Sequence, residues 1–177
     1  MELTQIAFGG GCHWCTEAVF QSLLGVAKVK QGWVSSTEKN NTFSEAVIVH
    51  FNNTIDLKTL IHIHLLTHKS TSNHSMRTKY RSAIYYFSKE QQEQCLLTIN
   101  QLQASFKKPI ITQVLPYKNF KPSTDDFQNY YASNPEKPFC KNYIEPKLKF
   151  LLQNFSKQVN HSKVSHLSPT THPNQQK

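Results

Sequence analysis

A chain of 177 residues with 38% apolar side chains suits one domain with a real core, since domains commonly run to roughly 100–150 residues. Four cysteines are too few for a disulfide scaffold. The net charge of +9 comes from lysines strewn along the chain, Arg77 and Arg81 being the arginines, which reads as a solvated surface and not as a nucleic-acid interface.

In chain order, "LTQIAF" (3–8) predicts a short buried strand. "HWCTEAVFQSLLGV" (13–26) predicts a helix with Val19, Leu23 and Val26 toward the core and Gly25 as its stop. Two strands follow, "AKVKQGWVS" (27–35) and "EAVIVHF" (45–51), around the polar turn "STEKNNTF". "DLKTLIHIHLLTH" (56–68) is a second helix capped by Asp56. "RSAIYYF" (81–87) is a strand, "SKEQQEQCLLTINQLQASF" (88–106) a helix opened by Ser88, and "IITQVLP" (110–116) a further strand. The order is β-α-β-β-α-β with an appended α-β, an α+β fold on the ferredoxin-like split β-α-β plan.

From Tyr117 the chain loses periodicity until "YIEPKLKFLLQNF" (143–155), and an irregular wrap of that length is usually functional or disordered. The last stretch has no apolar pattern. The expected layout is a single domain over 1–155 and a disordered polar tail over 156–177. No secretory layout opens the chain and no apolar run approaches the ~20 residues of a membrane span, so a cytoplasmic protein without a membrane partner is expected.

Cys12 follows Gly9, Gly10 and Gly11 and stands where the first helix begins. Unpaired backbone N–H groups and the positive end of the helix dipole face its sulfur, which favours the nucleophilic thiolate. The glycines permit a tight turn and close approach of a substrate to the backbone. Cys15 lies three positions on, and three chemistries are open for the pair: a nucleophile with a neighbour, a thioredoxin-like exchange couple, or a zinc clip completed by His64 and His68. No second CxxC supports zinc, and neither the glycines before Cys12 nor the strand order suits a thioredoxin fold, so no metal or other bound cofactor is expected. Arg77 and Arg81, both inside "RTKYRS", keep the rigid multi-donor guanidinium in a chain that otherwise uses lysine.

"GCHWC" resembles the signature of the A-type peptide methionine sulfoxide reductases: glycine, nucleophilic cysteine, aromatic, tryptophan, glycine. The resemblance continues in order through "GW", "SEAVIVHF", "KYRSAIYYF", "PIITQVLP", "FKPSTDDFQNYY" and "NPEKPFC", over roughly residues 4 to 150. It implies reduction of the S epimer of methionine sulfoxide, free or in peptides and proteins. The Cys12 thiolate attacks sulfur, methionine leaves, and a sulfenic acid remains that a second cysteine converts to a disulfide. Thioredoxin, or dithiothreitol in its place, would be the external reductant. The resemblance further implies that Glu45 protonates the leaving oxygen, as a carboxylic acid kept neutral by burial can. Tyr80 would donate a hydrogen bond to that oxygen, Trp14 would wall the methyl pocket, and Tyr130 would stand near the site. Cys140 matches the recycling position, with Cys15 an alternative resolver one helical turn from Cys12; Cys95 is expected to be a buried bystander.

Some positions depart from the family pattern. His13 replaces the phenylalanine that completes the methyl pocket, and Trp33 stands where the family has tyrosine. Both are expected to contact substrate, and the histidine is also placed to support the neighbouring thiolate. The stretch from Gly32 to Glu45 is short and lacks a tyrosine-bearing loop, Ser75 stands where an aspartate is usual, and "HLLTHKS" replaces a His-Asp-Pro-Thr stretch.

Overall fold

The computed structural model describes residues 2–167. Strands β1 (Thr4–Gly9), β2 (Val26–Ser35), β3 (Ser44–Phe51), β4 (Ala83–Tyr86), β5 (Gln113–Pro116) and β6 (Asn119–Pro122) form one sheet in the order β5-β4-β1-β3-β2-β6. The four inner strands are the split β-α-β plait, mutually antiparallel; β5 joins β4 in parallel and β6 joins β2 antiparallel. Among the described residues no helix is long and apolar enough to cross a membrane.

Strand periodicity divides the core between the two faces of the sheet. Ile6, Phe8, Val47 and Val49 point to the larger cluster, beneath helices α1 (His13–Gln21), α2 (Leu57–Thr67) and α3 (Lys89–Leu102). The alternate residues Ala7, Ala46, Ile48, Ala83 and Tyr85 form a thinner layer on the opposite face with Leu115, Tyr117 and Phe120. Both long-helix caps lie where the sequence places them: Asp56 Oδ1 accepts from Thr59 N at 2.7 Å, and Ser88 Oγ from Gln91 N at 3.2 Å.

Three expectations are corrected. Helix α1 ends at Gln21 and not near Gly25, because Ser22 Oγ bonds back to the Val19 carbonyl at 2.6 Å and Leu23 leaves to bridge Val159. The wrap after Tyr117 contributes a strand, β6, whose "NFKP" has no alternation of its own and pairs on the strength of its register with β2. The presumed tail is ordered as far as it is described: Val159, Val164 and Leu167 are buried in the main core, and Leu24 N donates to Gln158 O at 2.7 Å. Three isolated apolar anchors suffice there, since each docks in a prepared site and needs no repeat. The stretch 168–177 of that expectation lies outside the described residues.

The wrap then runs through the short helix α4 (Tyr130–Ser133), a π-helical turn over Cys140–Ile144 and helix α5 (Glu145–Asn154), which packs against α1. It thereby carries Tyr130, Phe139 and Cys140 back to the end of the molecule where α1 begins.

Candidate active site

Cys12 is the N-cap residue of α1, at the end of the turn that leaves β1. Gly10, in that turn, has a positive φ of 153°, and a Cβ on it would lie 2.4 Å from His68 Cδ2, so the turn admits glycine there for both reasons. Arg77 knits the turn to the loop before β4: its Nη1 donates to Gly10 O and Tyr80 O, each at 2.9 Å, and its Nε to Ser72 O at 2.9 Å. One rigid guanidinium thus fixes the approach to Cys12 and the backbone of Tyr80 together.

The Cys12 thiol is shifted below its ordinary value, chiefly by the neighbouring Cys15 side chain. The Trp14 and Cys15 backbone N–H groups act in the same direction, while burial and the nearby Glu45 carboxyl oppose them. The same pairing, with burial, pushes the Cys15 thiol up, so the two cysteines are shifted in opposite directions. Behind them Lys147 of α5 donates its ammonium to the Thr67 carbonyl; burial pushes its pKa down and the two sulfurs hold it up.

Glu45 opens the buried face of β3, in register with Trp33 of β2. Its parity with Val47 and Val49 turns it toward α1, where Oε1 receives the His13 backbone N–H at 3.4 Å and lies 3.3 Å from His13 Nε2. Lys79 Nζ, largely solvent-exposed, stands 3.8 Å from Oε2 and also 5.0 Å from the centre of the Tyr80 ring. The His13 ring is buried, with Nδ1 2.8 Å from the Gly32 carbonyl and the Trp33 ring edge-on at 5.1 Å.

The aromatic wall is built around Trp14. Tyr130 stacks on it at 4.0 Å and 5°, Phe127 at 5.6 Å, and Phe139 meets it edge-on at 5.4 Å. Cys140 directly follows Phe139; it is fully buried, its thiol 3.6 Å from the Asn134 carbonyl and pushed up by that burial. Cys95 is buried in α3, where burial pushes its thiol up to about 12. A groove of about 860 Å³ between α1, β2 and α4 contains none of these residues.

Glu17 escaped the sequence reading. Fully buried on the inner face of α1, it accepts from Gln31 Nε2 at 3.0 Å and Tyr130 N at 3.0 Å through Oε1, and from Asn129 N at 3.1 Å through Oε2. It thus ties the start of α4, where Asn129 has φ 54°, to the helix that carries Trp14. A carboxylate five positions after Cys12, among the buried apolar residues of a helix, was the available signal. The rings of His64 and His68, the candidate zinc ligands, stack at 4.1 Å; His68 Nε2 lies 2.8 Å from Ser82 Oγ, and His64 Nε2 is buried without a hydrogen-bond partner among the described residues. Among the described residues no group of three or more His, Cys, Asp or Glu side chains is placed to hold a metal ion.

The sequence profile of the peptide methionine sulfoxide reductases matches residues 4–160. The peptide methionine sulfoxide reductase MsrA of Pasteurella multocida is 37% identical over 158 residues, covering 81% of this chain and 91% of that protein. Reduced Mxr1 from Saccharomyces cerevisiae superposes with a TM-score of 0.71 at 22% identity, over 80% of this chain and 91% of that one. Mxr1 in complex with Trx2 gives 0.54 at 20% identity, over 73% and 85%. With a cysteine-bearing turn, a buried carboxyl and an aromatic cluster on the matching fold, the chain belongs to the A-type peptide methionine sulfoxide reductases, enzymes that reduce methionine sulfoxide to methionine.

Proposed function

We propose that Cys12 attacks the sulfoxide sulfur while Glu45 protonates the departing oxygen, leaving methionine and a sulfenic acid on Cys12. The observation that carries this reading is the placement of Cys12 as the N-cap residue of α1, with the Glu45 carboxyl held on the very next residue, its Oε1 3.4 Å from the His13 backbone nitrogen. Nucleophile and proton donor therefore serve one substrate atom pair.

Trp14, Trp33 and Tyr130, with His13 behind them, form the walls that receive the methyl-sulfur end of the side chain. Tyr80, whose backbone Arg77 holds, donates to the oxygen. Cys140 is the resolving thiol, supported by its place in a π-helical turn beside the aromatic wall; Cys15 is the alternative, supported by its place in the same first turn of α1, its N–H 3.1 Å from the Cys12 carbonyl. Buried as it is, Cys140 reaches the sulfenic acid by local opening of the wrap. The disulfide is then reduced by a dithiol protein of the thioredoxin class, or by dithiothreitol; Mxr1, of the same fold, has been solved with Trx2. A reducing cytoplasmic setting fits four cysteines that are all free.

The test is incubation with resolved epimers of a methionine sulfoxide peptide and dithiothreitol. The S epimer alone is consumed, and Cys12→Ser abolishes turnover; equal rates on both epimers, or full activity in that variant, refute the assignment. Thioredoxin-dependent cycling then separates the resolvers: Cys140→Ser loses it if Cys140 resolves, whereas Cys15→Ser loses it if the helix pair is the couple.

A further inference from the structure

His13 stands where the family carries phenylalanine, and the structure gives its ring a fixed polar task. A carbonyl only accepts, so the 2.8 Å contact of Nδ1 with Gly32 O places the imidazole hydrogen on Nδ1. In the neutral ring Nε2 is then a lone pair, aimed at Glu45 Oε1 from 3.3 Å. Two such acceptors attract each other only with one proton between them: either Glu45 is the acid and His13 receives, or His13 is imidazolium and Glu45 receives. Both side chains are less than a tenth exposed, so water does not substitute for that proton.

We propose that His13 and Glu45 hold the acid's proton jointly, His13 acting through Glu45 as the residue that keeps the general acid loaded. The proposal rests on Glu45 being the acid. The groups that face the pair are Cys12 from the start of α1 and Lys79 from the loop before β4. Strand β2 contributes the Gly32 carbonyl and the Trp33 ring edge, and β6 sends Lys121 to 5.9 Å from the Trp33 ring centre. Burial pushes the His13 pKa down; the Gly32 carbonyl and then the Glu45 carboxylate hold it up, and Lys79 presses it down again.

The proton count closes over a cycle. The Cys12 thiolate takes the sulfoxide oxygen with the pair's one proton, giving methionine and sulfenic acid; the methionine sulfur gains two electrons and the cysteine sulfur loses them. The resolving thiol forms the S–S bond, and its proton leaves with the sulfenic oxygen as water. An external dithiol supplies two electrons and two protons: one proton stays on the resolving thiol, and the other returns to the His13–Glu45 pair as Cys12 is restored to thiolate. A shared site leaves the thiolate beside a pair of unchanged net charge wherever the proton sits, which a lone carboxyl does not do.

Nitrogen-15 NMR of the imidazoles in the wild-type protein reads the proton directly. The neutral His13 ring is expected as the Nδ1–H tautomer, and its titration midpoint falls in Glu45→Gln, where the supporting charge is gone. A neutral ring protonated at Nε2, or a midpoint that Glu45→Gln does not move, overturns the proposal. Single-turnover methionine release against pH then tests its use in catalysis with His13→Gln, which keeps a donor for Gly32 O but cannot carry the proton. Relative to its own rate at pH 6, this variant falls away earlier than wild type as pH rises, losing on the order of a further tenfold by pH 8, short of the ~10² or more expected from losing the acid itself. Superimposable profiles refute the sharing. Loss of all sulfoxide reduction in wild type would refute the enzyme reading while leaving the NMR result to decide the pair.

Discussion

Glu17→Ala removes the acceptor of three N–H groups, those of Gln31 Nε2, Asn129 and Tyr130. Each buried donor left unsatisfied costs about 1–3 kcal/mol. Asn129 is exposed, so its N–H regains water and two donors remain to be counted. The expected loss is about 3 kcal/mol, and at about 2–4 °C per kcal/mol for a chain of this size the melting temperature drops by about 6–12 °C. Glu17→Gln does not restore stability. An amide has one acceptor oxygen, so its NH₂ must face either the Asn129 N–H or the donors now shared by Oε1. Because the same carboxylate fixes the Tyr130 backbone, its loss also loosens the stack on Trp14, a contact of about 0.5–1.5 kcal/mol. KM for a methionine sulfoxide peptide should therefore rise by roughly 2–10-fold while the single-turnover rate at saturation holds. Denaturation melts and the KM-against-kcat split are the measurements. A Gln variant with wild-type melting temperature and KM would show that the carboxylate neither bears nor positions the wall.

Three further outcomes follow from the geometry. Alkylation of Cys12 by iodoacetamide, followed by mass spectrometry of its peptide, should show a rate midpoint below the ~8.5 of a free thiol; in Cys15→Ala the midpoint rises because the side chain that chiefly lowers it is lost, and an unmoved midpoint would contradict that influence. Burial depresses His68 to about 4, against ~6.5 in the unfolded chain, so the unfolded state binds the proton first. This contribution to stability is intact above pH ~6.5 and is lost as pH falls toward 4, amounting to about 3 kcal/mol, and chemical denaturation of His68→Gln across that window should show a flatter dependence. Gly10→Ala should destabilise the fold by ~2 kcal/mol or more and cut activity, since the new Cβ meets the His68 ring at 2.4 Å; a variant as stable as wild type would mean that the turn gives way at little cost.

Local pattern was enough for much of this protein. Alternating apolar residues in β1 and β3, the Asp56 and Ser88 caps and the three glycines before Cys12 are each read within a few positions, because strand pleat, helix start and tight turn are set by nearest neighbours along the chain. Even the inward aim of Glu45 follows from its parity with Val47 and Val49. Tertiary structure decided the rest, where the partner is far away in sequence. Glu17 meets Asn129 across 112 positions and His13 meets Gly32 across 19, and no periodic signal records either contact. Strand β6 and the anchors Val159, Val164 and Leu167 likewise take their places from surfaces that exist only once the sheet and α1 have formed. Composition and spacing place a cysteine at a helix start behind three glycines; which distant groups surround it is decided by burial, since a hydrogen bond between distant residues has direction and strength only where water is excluded.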